Sequence, residues 1–416
     1  MTAVTDPTGW SFLSYRRIRL HEARLLIGAQ HDHGIPTWHD LGNLGPAETE
    51  TALRRALEDT ATANAIVWLT PEVRDSPIIR DVEAPVLVRR ARAGDGFFVL
   101  PVAAGGLDHQ GAAGVAGPLL GAANLAAWNM HRVLNDPITP EDAAMVAERV
   151  LRERLRVIHA QLPPDEPLRM RLHTRGSVPA DVPGYALSLD WTHHFSGPNQ
   201  RQAPQRVWQD VLLPALGRVV DAIEGRAHGR QILASGKLAI PAAVAVGVAF
   251  LAPRQLPIAW QQHPTGEPWS LDVAPEPAGF TSELVPNDPN GTDLAALVCV
   301  NDDVEPAFGL TVDATGTRSR FRATLVIQRP GDWFSSTQPL TAGQAIDIAR
   351  TVQRALRDAR SQYPRVRELH LFMAVPVGLA MLIGQLLNTF GTVQAYEHVP
   401  SNLVPYQPAA LLHPSN

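Results

Sequence analysis

Two short stretches, Ile240-Pro241-Ala242-Ala243-Val244-Ala245 and Val375-Pro376-Val377-Gly378-Leu379-Ala380, decide how the second half of this chain is read. The later one repeats the earlier at an offset of 135 residues, and the offset still holds between Ala249 and Gly384. In each, a proline opens a helix. Small residues four apart on one face let that helix lie close to a sheet. A strand precedes each unit (Gln231 to Ala234; Glu368 to Phe372) and another follows it (Ile258 to Gln261; Gln394 to Glu397). A longer helix leads each one, Pro204 to Glu224 and Thr341 to Arg360. Farther upstream, Leu187-Ser188-Leu189-Asp190-Trp191 parallels Leu297-Val298-Cys299-Val300-Asn301 at an offset of 110, which places about 25 extra residues in the second half, around Phe321 to Gln328. The expectation is two α/β halves, residues 180–270 and 290–400, facing each other about a pseudo-two-fold axis. A pocket between them, at the strand carboxyl ends, is the natural ligand site.

The first 160 residues alternate strands and helices. Trp10 to Ser14, Ile35 to Trp38, Ala65 to Thr70 and Phe97 to Val102 read as strands, with helices over Leu20 to Gln30 and Ala47 to Asp59. Ala65 to Thr70 is nearly all apolar, as a parallel strand covered on both faces should be. Ser76-Pro77 and Thr139-Pro140-Glu141-Asp142 carry helix-start chemistry, an N-cap followed by proline. This βαβα rhythm implies a parallel sheet with helices on both faces. The cluster Pro163-Pro164-Asp165-Glu166-Pro167 reads as the boundary between domains at 1–162 and 163–416. The run Arg152-Glu153-Arg154-Leu155-Arg156 just before it reads as a solvated helix face.

Composition narrows the function. The 416 residues are 45% hydrophobic and 19% charged, with net charge −5, so the chain folds and is no general nucleic-acid coat. No DNA partner is expected. The single cysteine, Cys299, excludes a disulfide framework and a cysteine zinc site. No residue is assigned to a metal. The apolar runs Leu238 to Ala252 and Leu371 to Ile383 are interrupted by Pro241 and Pro376, and both fall short of the ~20 residues of a bilayer helix. No membrane partner is expected either. Residues Met1 to Asp6 lack the basic flank and apolar stretch of a signal peptide, so the expected location is the cytoplasm.

Several residues of the first domain resemble those of a known family. Phe12-Leu13-Ser14-Tyr15-Arg16, Trp38-His39-Asp40, Leu44-Gly45-Pro46, and Ser76 with Glu83 seven residues later resemble a Toll/interleukin-1 receptor (TIR) domain over residues 8 to 135. Leu369-His370-Leu371-Phe372, Pro376, Ala380, Gly384 and Tyr396-Glu397 resemble a SAVED domain, a duplicated CARF-like sensor of cyclic oligonucleotides, over residues 165 to 410. The pairing is similar to the TIR–SAVED effectors of cyclic-oligonucleotide-based antiphage signalling. It implies a flavodoxin-like first domain and a second domain of two fused CARF-like, Rossmann-type halves. Two departures stand out. Ile79 occupies the place of the tryptophan in the family's Trp-x-x-x-Glu pattern, and Pro85 removes a helix hydrogen bond just after Glu83.

The resemblance implies an antiphage NAD+ glycohydrolase, releasing nicotinamide and ADP-ribose when a cyclic trinucleotide, foremost cyclic tri-adenylate, binds the sensor. The chemistry is coherent. Nicotinamide leaves neutral from a cationic bond, so the protonating second carboxyl of ordinary glycosidases is not needed. One carboxylate, Glu83, suffices to stabilise the developing ribosyl cation. Arg16 is placed to meet the NAD+ diphosphate, with Tyr15, Trp38, Asp40 and Ser76 as further contacts. In the sensor, Ser235 and Lys237 at a strand end beside a helix opening are phosphate contacts. Lys237 is the sole lysine among 36 Lys+Arg residues. The spacing of Gly229 and Gly236, with Leu238 after the lysine, is not that of a nucleotide-hydrolysing phosphate loop. Tyr396 stacks a base in this reading, and Ser196 and Asn301 lie where the halves converge. No cofactor is expected, NAD+ being substrate and the cyclic oligonucleotide an activator. Self-association into a head-to-tail filament is expected on activation. The alternatives are a nucleotide-responsive TIR scaffold without catalysis, and an enzyme making cyclic ADP-ribose.

Overall fold

The computed structural model describes residues 4–38, 46–121, 124, 127–178, 184–331, 339–400 and 402–414. They form two compact units. The first is Met1–Met170 with the segments Pro179–Leu189 and Asp221–His228, and the second is the remainder. The division thus falls after Met170 rather than at the proline cluster, and the chain crosses it more than once.

In the first unit, β1 (Trp10–Ser14), β2 (Thr37–Trp38), β3 (Thr62–Leu69), β4 (Phe98–Ala103) and β5 (His131–Arg132) form one sheet in the order 2-1-3-4-5. The pairs are parallel throughout. This is the flavodoxin-like order, whose ligand crevice lies at the carboxyl ends where the order reverses, between β1 and β3. All eight residues of β3 are buried, as its near-continuous apolar run requires. Phe12, Val67, Leu69, Ile79, Val86 and Leu87 are part of the core on one face of this sheet.

Pro85 does not end its helix. Residues Ile79–Glu83 form one π-helical turn and the α-helix continues over Ala84–Arg92. Proline has no N–H to give the carbonyl four residues back, and its ring presses on that carbonyl. Widening by one residue relieves both problems, and such turns concentrate at functional sites.

The helix Pro140–Gln161 opens with a full capping box between Thr139 and Asp142. Its arginine run is only partly solvated. Arg152 and Arg156 make the surface ion pairs of a helix face, with Glu148 and Glu153. Arg154, however, is 1% exposed. It donates to the carbonyls of Gly9 at 2.7 Å and Ala186 at 3.3 Å, and also to that of Thr8. A guanidinium whose donors all find carbonyls can be buried without a carboxylate.

Two further sheets follow in the chain. One has the order β10-β9-β8-β6-β7, from β6 (Leu168–His173), β7 (Leu187–Asp190), β8 (Ile232–Lys237), β9 (Ile258–Gln261) and β10 (Pro268–Trp269). The other has the order β11-β13-β12-β14-β15-β16, from β11 (Thr281–Pro286), β12 (Asp293–Cys299), β13 (Phe321–Gln328), β14 (Glu368–Ala374), β15 (Thr392–His398) and β16 (Tyr406–Leu412). Their centres repeat each other: β6, β8, β9 and β10 occupy the places of β12, β14, β15 and β16.

Sheet order corrects the upstream half of the proposed repeat. Leu187–Asp190 is an edge strand and corresponds to β13, whereas β12 corresponds to β6. A matched pair of bonds fixes the alignment: Thr174 N–H donates to the Lys237 carbonyl, and Val300 N–H to the Ala374 carbonyl, both at 3.0 Å. Phe321–Gln328 is therefore a repeated strand and no insertion. The added strand is β11, antiparallel on the edge of β13.

The two repeated helices, Ile240–Ala249 and Val377–Gln385, pack on each other. A Cβ on Gly247 would collide with the Met381 carbonyl, and one on Gly384 with the Val244 carbonyl. Their small residues serve this backbone-to-backbone contact, where a helix-on-sheet contact was expected.

Candidate functional site

In the first unit, Ser14 ends β1 at the sheet's carboxyl edge, on the same face as Phe12. Its hydroxyl donates to Glu83 Oε2. Glu83 sits on the π-turn, 5% exposed, and burial pushes its carboxyl up to about 7 against the smaller opposing pull of the Ser14 hydrogen bond. A buried carboxyl held by a neutral donor at this edge is suited to meeting a developing cation.

The other residues predicted around it fall in different places. Tyr15 and Arg16 follow β1 directly and are half-buried. Trp38 stacks on Phe12 with ring centroids 5.2 Å apart. It also lines a cavity of about 740 Å³ with Trp10, Arg55, Asp59 and Thr62. Trp10 and Thr62 open their strands, so that cavity is at the opposite edge from Glu83 and is not its pocket. Ser76 is buried, and its hydroxyl accepts from the Ile79 N–H at 3.4 Å, so it caps the turn that carries Glu83. Asp40 lies outside the described residues.

Sequence reading missed an ionic network at the same edge. Arg19 pairs with Glu22 at 2.9 Å, Glu72 at 2.8 Å and Asp136 at 3.1 Å. Glu22 in turn accepts from the Trp68 indole at 2.7 Å. The Arg19 and Glu22 pair, three apart at a helix start, was the available signal.

In the second unit, both repeated helices open at a strand-end edge. At the first opening, Lys237 is exposed and Ser235 half-buried on the last turns of β8. Buried Thr174 straps this loop, its hydroxyl accepting from the Ala239 N–H at 2.8 Å. Ser196 bridges Gln202 through both backbone groups and so closes a turn. That turn carries Gln200, whose side chain accepts from the Gly176 N–H at 2.8 Å, and Arg201. Arg201 donates to the His398 carbonyl at 2.9 Å and lies 4.0 Å from Glu397.

Glu397 holds the centre of this group. It is 5% exposed, and Oε2 accepts the Ile240 N–H at 3.2 Å, the first amide of the helix. Burial pushes its carboxyl up to about 7, opposed by Arg201, Arg175 and the helix N–H. Neither Arg201 nor Arg175 was singled out by sequence reading, although Arg201 is the one cation of the Gly197-Pro198 loop.

At the second opening, Asn301, Arg329, His263, Gln344 and Pro376 are among the residues lining a cavity of about 610 Å³. Asn301 is exposed and its topological counterpart is Arg175, two residues beyond β6 as Asn301 is beyond β12. The structure therefore does not bring Asn301 and Ser196 together through paired strands.

Tyr396, expected to stack a base, is half-buried and packs against the core. Its ring lies on Phe372 with centroids 4.3 Å apart, and its hydroxyl meets His370 Nδ1 at 2.9 Å. His370 is 1% exposed, and its Nε2 is 3.3 Å from Asp293. Arg320 closes the cluster onto Asp293 and onto Glu368 at 2.7 Å. Three groups of this cluster, Asp293, Glu368 and His370, lie close enough to hold a cation, and the Arg320 guanidinium already pairs with both carboxylates. Among the described residues, no helix is long and apolar enough to cross a membrane.

Comparison with known proteins places the second unit. Residues 216–412 match the family model of SAVED, the SMODS-associated and fused to various effectors sensor domain. CD-NTase-associated protein 4 of Acinetobacter sp. (strain ATCC 27244 / 9458) is 24% identical over 247 residues, 58% of this chain and 48% of the relative. The match thus spans about half the length of that relative. The Acinetobacter baumannii Cap4 SAVED/CARF-domain containing receptor, solved with the cyclic trinucleotide 3′3′3′-cAAA, aligns with a TM-score of 0.50 at 13% identity, over 96% of this chain and 100% of that one. The Moraxella osloensis Cap4 receptor aligns with a TM-score of 0.46 at 15% identity, over 89% of this chain and 86% of that one. Such identities speak to fold. Residues 216–412 thus match a SAVED domain by the family model, and the likeness to the Acinetobacter baumannii receptor is one of fold.

Proposed function

We propose that this chain is a ligand-gated effector of cyclic-oligonucleotide antiphage signalling, in which a cyclic trinucleotide seated on the SAVED domain switches on NAD+ cleavage by the first unit. The observation that carries the sensing half is the SAVED match over residues 216–412 on a duplicated strand-end edge rich in cations, Arg175, Arg201, Lys237 and Arg329. The ligand class is extended from the Acinetobacter baumannii receptor with 3′3′3′-cAAA.

The catalytic half rests on the TIR resemblance and on Glu83 at the carboxyl edge of a 2-1-3-4-5 sheet. Glu83, ionised, stabilises the ribosyl cation as nicotinamide leaves, and water completes ADP-ribose. Arg16 and Tyr15 bind the dinucleotide beside it. At 5% exposure the carboxyl is closed to substrate, which suits a resting state that opens on assembly with a neighbouring copy.

The test is NAD+ mixed with the protein and a panel of cyclic di-, tri- and tetranucleotides, following nicotinamide and its partner product by chromatography. Release with a cyclic trinucleotide alone supports the gated enzyme, and the product separates ADP-ribose from its cyclic form. Ligand binding without NAD+ loss leaves the scaffold reading.

A further inference from the structure

Each helix opening of the second unit faces a side chain from the other half. Glu397, from the end of β15, reaches the first amide of Ile240–Ala249 in the other half. Gln262, 135 residues earlier and just after β9, stands at the opening of the other helix without bonding to it. Its Oε1 stands 3.2 Å from where a Cβ would sit on Gly378, in the first turn of Val377–Gln385. The positions are equivalent and the residues nearly isosteric. One carries a titratable charge and the other does not.

We propose that Glu397 is a built-in counter-anion, whose carboxylate holds the place at the first helix opening that a ligand phosphate takes, so that the two halves engage an anionic ligand unequally. This rests on the sensing half of the function proposed above. The surroundings fit an anion rather than a buried carboxylate alone. Arg175 and Arg201 both face Glu397, the helix N-terminus adds its partial positive charge, and Arg201 Nε is buried without a hydrogen-bond partner. At the second opening, neutral Gln262 offers a phosphate no rival.

Seating a phosphate requires the carboxylate to leave or to take up a proton, and its value of about 7 makes protonation accessible. Arg175 and Arg201 are the cations that face it. Burial holds His398 below its ordinary range and pushes up Tyr406, its partner on β16. Ligand affinity should therefore fall as pH rises through 7, with close to one proton linked.

Calorimetric titration with 3′3′3′-cyclic tri-adenylate at pH 6.5 and pH 8 tests this, with melting in ligand-free buffer as the fold control. The wild type is expected to bind about tenfold more weakly at pH 8. Glu397→Gln, which retains an acceptor for the Ile240 N–H, should bind equally at both, as tightly as wild type at pH 6.5. Gln262→Glu should weaken binding and steepen the pH dependence. An unchanged slope in a folded Glu397→Gln protein, or weaker binding by it, overturns the proposal. If the wild type binds no cyclic nucleotide, the function reading fails and the counter-anion is judged on inorganic pyrophosphate instead. Greater thermal stabilisation of Glu397→Gln than of wild type supports it, and equal stabilisation overturns it.

Discussion

The hydroxyl of Ser14 donates to the carboxyl of Glu83, joining the last residue of β1 to a π-turn sixty-nine residues away in the chain. This bond is the local brake on a carboxyl that burial drives toward neutrality. Removing it should let the value rise further. Ser14→Ala is expected to move the midpoint of the NAD+ cleavage profile upward by about one pH unit, because hydrogen bonds to the charged form favour it. A pH–rate series under saturating activator checks the shift, and a midpoint that stays put would detach Ser14 from the chemistry.

In the wild type, NAD+ cleavage should rise with pH through about 7, since the ionised carboxyl is the form that stabilises a cation. Glu83→Gln should abolish nicotinamide release while leaving cyclic-nucleotide binding in place. Full activity in this variant would transfer the chemistry to another residue.

The same substitution should raise stability, and the sign follows from linkage. The folded carboxyl titrates near 7 and the unfolded one at 4.5, so the folded state holds the extra proton between those values. Stability is lost as pH rises across that window. Glu83→Gln removes a loss on the order of 3 kcal/mol at pH 8 and almost none at pH 4.5. Melting curves at the two pH values should show the gain only at the higher one.

The helix crossing in the second unit leaves no room for a side chain at Gly247. Gly247→Ala is expected to cost about 1–3 kcal/mol or more, because backbone must move. Gly309→Ala, on the helix Glu305–Thr315 with open space around it, should be neutral or stabilising by up to about 1 kcal/mol. Comparing denaturant midpoints of the pair removes the effect of alanine itself.

Tyr396→Phe should cost about 1 kcal/mol through the lost His370 hydrogen bond and leave cyclic-nucleotide affinity unchanged. A large loss of affinity would return Tyr396 to the ligand.

Much of this architecture can be read from residues alone. Ala65 to Thr70 announces a strand covered on both faces, and the 135-residue echo marks the duplication. What escapes is whatever depends on distant partners. β6, Leu168-Arg169-Met170-Arg171-Leu172-His173, alternates apolar and basic residues and sits just beyond a proline cluster, so nothing local marks it as a central strand. Arg154 has the sequence context of a surface residue, and only three carbonyls from remote loops make it internal. Glu397 sits in the family-like Tyr396-Glu397 pair, where the aromatic drew attention. The aromatic packs against the core, and the acid faces the helix of the other half. Glu83 is singled out in the sequence by family likeness alone. Its depth and its Ser14 partner belong to the fold.

The inequality of the two helix openings has a consequence for symmetry. A ring of three identical nucleotides has a three-fold axis, whereas a duplicated domain offers at best a two-fold one. No orientation lets such a ring present the same face to both halves. A perfectly symmetric receptor would therefore misfit one side. By keeping an acid at position 397 and an amide at 262, the duplicated gene has already given up its own symmetry. For the cyclic trinucleotide proposed as ligand, this asymmetry gives a preferred way to sit.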